Sequence, residues 1–135
     1  MERLTKVMNK YLKEAVADMD KKKVLAVTIS KQWFDMIVAG KKNEEYREIK
    51  KYWVSRLVNQ QAESGDVLFD EFGGYCRVIG KLEYKPYTYV RFFNGYAKNR
   101  PWIEKKIESI SIGKPKKGLC PDKWLDTEFF IIKFK

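Results

Sequence analysis

The stretch VLAVTISKQWFDMIVAG, residues 24–40, decides the fold. Its first six residues are apolar and β-branched, which predicts a short buried strand over 24–29. Ser30 follows, a residue type that caps helix N-termini. Trp33, Phe34, Ile37 and Val38 then recur at helical spacing and predict the apolar stripe of a helix over 31–39. Gly40 falls where a helix ends in a left-handed residue, which glycine adopts without a Cβ clash.

Outward from this unit, residues 41–48 hold too few apolar side chains for a core helix and read as an extended segment. Extended geometry puts Glu45 and Arg47 on one face and Glu44, Tyr46 and Glu48 on the other. Helical spacing returns over 50–60 through Tyr52, Trp53, Leu57 and Val58. Beyond the turn at Ser64-Gly65-Asp66 the chain is strand-like. Strands are expected near 67–72, 75–84, 87–93, 103–112 and 128–134. Gly73-Gly74, Asn94-Gly95 and Gly113 mark breaks, and Asn94-Gly95 suits a tight hairpin turn. Residues 113–127 form a Lys-, Pro- and Gly-containing loop that holds Trp124. On the N-terminal side, Leu4, Met8, Tyr11, Leu12, Ala15 and Met19 predict an amphipathic helix over 2–19. The expected class is α+β: helices early, then a meandering sheet that curls into a small β-barrel. Residues 1–23 form a helical extension and residues 24–135 the domain.

With 135 residues, one domain is expected. Hydrophobic residues at 44% and charged residues at 34% exclude a mainly disordered chain. No apolar run approaches the roughly 20 residues of a membrane helix. Charges throughout residues 1–23 argue against a secretory signal, so a cytoplasmic protein with no membrane partner is expected. The formal charge is +10 and aromatic residues reach 15%. Cations meet phosphates and rings stack on bases, so RNA or a nucleotide is the partner expected; the competing reading of the charge is solubility alone. The chain has no histidine, which removes Ser-His-Asp and Cys-His catalysis and His-containing zinc sites. Cys76 and Cys120 lack CxxC partners and read as packing residues. No cofactor or metal is expected.

Gly40-Lys41-Lys42-Asn43-Glu44-Glu45-Tyr46-Arg47 reads as G-x-K-x-x-E-x-R. It resembles the signature of the ASCH domain family, a PUA-like β-barrel group. Lys31-Gln32-Trp33 after Ser30, Arg91-Phe92-Phe93-Asn94-Gly95-Tyr96, and Ile112-Gly113-Lys114-Pro115 resemble the short members common in phages and prophages. The resemblance spans about residues 24–135 and implies a cleft beside the motif, sized for a nucleotide or a short stretch of RNA. Some relatives deacetylate acetylated cytidine and others are ribonucleases. The deacetylating relatives match Lys42 but carry a nucleophilic Thr where this chain has Glu45, which cannot form the same ester. Their downstream Glu has four counterparts here: Glu71, Glu83, Glu104 and Glu108.

The candidate site follows from side-chain chemistry. Arg47 and Arg91 offer forked donors for a phosphate or base edge. Lys42 could stabilise an oxyanion or act as a base, and Glu45 could read an amino group or serve as general base. Asn94 could pair with a base, and Tyr96 or Trp33 could stack on it. Lys31 and the Gly40 turn complete the set of candidate binding residues. Structural readings compete: a Glu45–Arg47 pair across a barrel end, Tyr46 in the core, Trp33 as packing, Asn94-Gly95 as a turn, and Lys114, Lys116 and Lys117 as a solvated loop. Three functions are expected in competition: a binding module, a hydrolase of a modified nucleoside or RNA, and a protein adaptor using helix 2–19. The oligomeric state stays open between monomer and weak dimer.

Overall fold

The computed structural model describes residues 22–135, so the helix expected over 2–19 lies outside the described residues. The elements are β1 (Val24–Ile29), α1 (Lys31–Val38), β2 (Glu44–Arg47), α2 (Lys51–Leu57), β3 (Gly65–Phe69), β4 (Tyr75–Gly80), β5 (Tyr89–Asn94), β6 (Trp102–Gly113), a 3₁₀ turn (Asp122–Trp124) and β7 (Phe129–Phe134). Five strands form one sheet in the order β1-β5-β6-β7-β2, and β3 pairs with β4 as a separate ribbon. The α+β class follows directly.

The main sheet curls because β6 serves two neighbours in turn. Its first half, Trp102–Lys106, pairs antiparallel with β5. Its second half, from Ile107 to Gly113, pairs with β7, across a register shift between Ile107 and Ser109. A bulge of this kind bends the strand and turns a sheet corner. β1 and β2 occupy opposite ends of the strand order. Even so, Arg47 Nη2 on β2 donates to the Thr28 carbonyl on β1 at 2.9 Å. The edges therefore meet, and the fold is barrel-like.

The core is the inner face of this curl. β1 alternates, burying Leu25, Val27 and Ile29 while Ala26 is exposed. It is a one-sided strand rather than the fully buried one its apolar run suggested. Phe34 and Ile37 of α1 and Val54 and Leu57 of α2 join Val90, Phe92, Phe130, Ile132 and Phe134 in one cluster. α1 keeps the expected period, but Val38 is exposed; on α2, Tyr52 is exposed too. Each apolar face is narrower than its sequence stripe. Gly40 takes φ +74, as the helix end requires. Ser30 has cap geometry but makes no side-chain cap bond.

Further differences concern the second half of the chain. The strand expected over 75–84 stops at Gly80, whose φ is +66; Tyr84 contributes one isolated bridge to Val58. Asn94-Gly95 is not a two-residue hairpin. It opens a longer connection, 95–101, closed by Asn94 N–H donating to the Pro101 carbonyl at 2.9 Å. Cys120 is buried as expected, whereas Cys76 is exposed. Among the described residues no helix is long and apolar enough to cross a membrane.

Candidate functional site

The meeting of the β1 and β2 edges leaves a cavity of about 510 Å³. Its walls are the end of β1 (Thr28, Ile29), Trp33 of α1, Glu45, Tyr46 and Arg47 of β2, and Gly95-Tyr96. Leu119, Cys120, Pro121 and Trp124 from the long loop close the remaining side. Volumes of this size hold small-molecule ligands. Four aromatic side chains and two charged ones share the lining, so the site suits a flat, polar-edged molecule.

β2 places the charged pair. It is an edge strand paired only with β7, yet Glu44, Glu45 and Tyr46 are all buried. The loop 114–121 covers it. Tyr46 Oη donates to Glu44 Oε1 at 2.9 Å and accepts from the Lys116 N–H at 3.1 Å. Lys116 Nζ lies 3.3 Å from Glu44 Oε2. These contacts fix the loop on the strand. Burial raises the Tyr46 phenol above its ordinary pKa, the Lys116 amide opposing this. Tyr46 is thus both core and wall, and Lys116 is a structural cation.

Glu45 and Arg47 carry the polarity of the cavity. Glu45 is 5% exposed. Its Oε1 accepts from the Tyr46 N–H at 2.8 Å. Its Oε2 is buried and has no hydrogen-bond partner among the described residues. Arg47 spends Nη2 on Thr28, stacks on Trp53 with 5.2 Å between guanidinium carbon and ring centroid, and leaves its buried Nε unpartnered. No Glu45–Arg47 ion pair forms among the described residues. A buried unsatisfied polar atom costs about 1–3 kcal/mol, and such atoms are uncommon in folded proteins. Here an acceptor and a donor of this kind sit on residues of one cavity.

Lys42 is 2% exposed and does not line the cavity. Its ammonium donates to the Leu119 carbonyl and lies 3.9 Å from Glu45 Oε1. The rings of Trp33 and Tyr46 lie 5.0 and 4.9 Å away. It therefore braces four lining residues from outside. Burial pulls its pKa below the ordinary lysine value, while Glu45 pushes it back up. Burial likewise raises the Cys120 thiol, with Lys42 acting in the opposite sense.

Of the nine residues proposed from sequence, Trp33, Glu45, Arg47 and Tyr96 line the cavity and Lys42 supports it. The other four lie elsewhere. Lys31 is exposed and paired with Asp35 at 2.5 Å. Gly40 ends α1, with its N–H donated to Ile37. Asn94 sits beside the cavity without lining it, although Gly95 does. Arg91 has its fork filled: Nε and Nη2 donate to Glu104 Oε1 at 3.0 and 2.5 Å, and its face covers Trp102. The expected basic cleft is also changed, because the lining carries one cation and one carboxylate. Thr28, Leu119, Cys120, Pro121 and Trp124 were not expected in the site. The one sequence signal for them was a Trp in a long loop that also holds prolines and lysines. No family model, curated protein or solved structure matches the chain.

Proposed function

We propose that this chain is an ASCH-type, PUA-like domain that binds RNA or a nucleotide, with one base held in the cavity. The observation that carries the reading is that Glu45 and Arg47, each with one buried polar atom left unpartnered, line the same aromatic-walled cavity of about 510 Å³. A base edge presents a donor beside an acceptor, which matches a carboxylate beside a guanidinium N–H. Trp33, Trp124 and Tyr96 offer ring faces of the kind a base stacks on. The near-neutral lining favours a phosphate held outside the cavity, toward the remaining surface cations.

Titration calorimetry with the four common ribonucleoside monophosphates tests this reading. Binding by the wild type that is lost in Arg47→Ala, with the variant still folded, supports it. Binding indifferent to both Arg47→Ala and Trp33→Ala places the ligand elsewhere.

One observation favours a second reading, a hydrolase of a modified nucleoside or RNA. Lys42 Nζ lies 3.9 Å from Glu45 Oε1 in a buried setting. In this reading Glu45 is the general base facing the substrate and Lys42 a positioning residue that tunes it. Incubation with modified nucleosides and short RNAs, read by mass spectrometry, decides the matter. Products formed by the wild type and not by Glu45→Gln support hydrolysis. Binding without products leaves a recognition module.

A further inference from the structure

The connection from β5 to β6 has a second surface that the cavity does not use. Tyr96 is 86% exposed and lines both the cavity and a neighbouring open depression. Phe93, Ala97, Lys98, Asn99, Arg100 and Trp102 form the rest of that depression. No carboxylate lines it, and neither Lys98 nor Arg100 enters an ion pair among the described residues.

Its arginine is held in place, while Lys98 is exposed. Arg100 Nη1 donates to the Gly95 carbonyl at 3.1 Å, and its guanidinium carbon lies 4.2 Å from the Phe93 ring centroid. One of five N–H donors is thereby used, so the rest of the fork is free while its position is set. Trp102 is half exposed, and Arg91 lies 4.2 Å from its ring centroid. Aromatic rings interleaved with cations are the kind of surface that suits single-stranded nucleic acid, where rings take bases and cations take phosphates. Tyr96 joins this surface to the cavity without a gap.

We propose that the ligand is a single strand of at least two nucleotides rather than a free nucleoside. One base enters the cavity, and the adjoining phosphate and base lie on Arg100, Lys98, Tyr96 and Trp102. The inference rests on the base-binding reading of the cavity and adds the direction in which the strand leaves it.

The test is fluorescence anisotropy with labelled hexauridylate, hexacytidylate, hexaadenylate and hexathymidylate, competed with the corresponding unlabelled mononucleotides. Full-length protein is used, with circular dichroism as a check on folding. At least one hexamer should bind about tenfold or more tighter than its mononucleotide. A Lys98→Ala/Arg100→Ala variant should lose most of that gain and weaken hexamer binding more than mononucleotide binding. The logarithmic salt slope should fall by about 0.7, the value for one lost single-strand phosphate contact. Ribo- and deoxyribo-hexamers distinguish RNA from DNA as the strand. Equal affinity for hexamer and mononucleotide overturns the inference and leaves the cavity reading standing. Hexamer binding that resists the double variant but falls with Arg47→Ala does the same. Hexamer binding lost in the double variant and indifferent to Arg47→Ala overturns the cavity reading, and with it the proposed joint path. No binding of either ligand overturns both.

Discussion

Two arginines, Arg47 and Arg91, looked alike in sequence and ended in opposite circumstances. Arg91 lies on the outer face of β5, opposite Glu104 in the β5–β6 register. Its fork is filled by that carboxylate and its plane is stacked on Trp102. Arg47 lies on an edge strand where the sheet closes on itself. Its strand neighbours across the register are apolar, Phe130 opposite and Ile132 two places on. It therefore finds a backbone carbonyl and a tryptophan face, and keeps a buried N–H in reserve. An arginine paired by its own sheet has its fork occupied, whereas one whose register partners are apolar keeps an N–H unpaired. The surrounding register, and not the residue type, makes the difference.

The largest expected contrast between the two regions is in stability. Lys42→Ala leaves the buried Glu45 without its cation and removes the brace on the cavity wall. Breaking a buried pair from one side costs about 3–5 kcal/mol. Urea denaturation should show a loss in that range, with Lys42→Met recovering part of the lost packing. Arg91→Ala, on the exposed face, should move the midpoint far less. A Lys42→Ala loss below about 1 kcal/mol would mean that water reaches the pair, and the contrast between buried and exposed charge would collapse.

Ligand affinity should separate the arginines next. Arg47→Ala should weaken nucleotide binding, per folded molecule, by about 1.5–3 kcal/mol, the range for hydrogen bonds to charged groups. Arg91→Ala should leave mononucleotide affinity close to that of the wild type. Calorimetry showing equal losses for both would put the base on the outer sheet face and remove the distinction drawn above.

The parts of the molecule that were legible in sequence were those governed by local chemistry. Strand, helix and glycine stop over 24–40 follow from side-chain shape and period, and they appear as β1, α1 and the positive-φ Gly40. The period-two reading of 44–48 grouped Glu44, Tyr46 and Glu48 apart from Glu45 and Arg47; the Tyr46–Glu44 hydrogen bond fits it, but β2 ends before Glu48 and Tyr46 lines the cavity with the other pair. What was not legible depends on long-range pairing. Glu104 was one of four candidate acids, and only the β5–β6 register reveals it as the partner of Arg91. Likewise, nothing local in Leu119-Cys120-Pro121 says that this loop folds back over β2. That placement comes from the Lys42–Leu119 and Tyr46–Lys116 contacts, which join residues far apart in the chain.

A smaller effect, in alkali, sharpens the comparison through pH. Burial lowers the Lys42 pKa below its ordinary 10.5. The unfolded chain therefore binds more protons at this position over the interval from the folded pKa up to 10.5. Stability contributed by Lys42 should rise with pH across that interval, because the folded state gives up its proton more readily. Wild type measured against Lys42→Met by urea denaturation between pH 7 and pH 10 should gain on the variant as pH rises. A flat difference would mean that the ammonium is as well solvated folded as unfolded.

The smallest effect lies at the acid end and has the opposite origin. The hydrogen bond from Arg91, followed by that from Lys22, holds the Glu104 carboxyl below its ordinary value of 4.5. Here the folded state favours the charged form, so the unfolded chain binds the extra proton first as pH falls. The contribution is complete above the unfolded pKa and is lost as pH drops through the folded one. Wild type should lose stability more steeply than Glu104→Gln between pH 5 and pH 3, and Arg91→Ala should flatten the wild-type slope. The effect should also shrink in high salt, because the pair sits at the surface, where ions screen it. The Lys42 effect should persist there, since its cause is dehydration of a buried group. If instead salt erased the alkaline effect and spared the acid one, the assignments of buried and exposed charge would have to be exchanged. The cavity would then lose the buried, unpartnered polar groups on which its proposed reading as a base site depends.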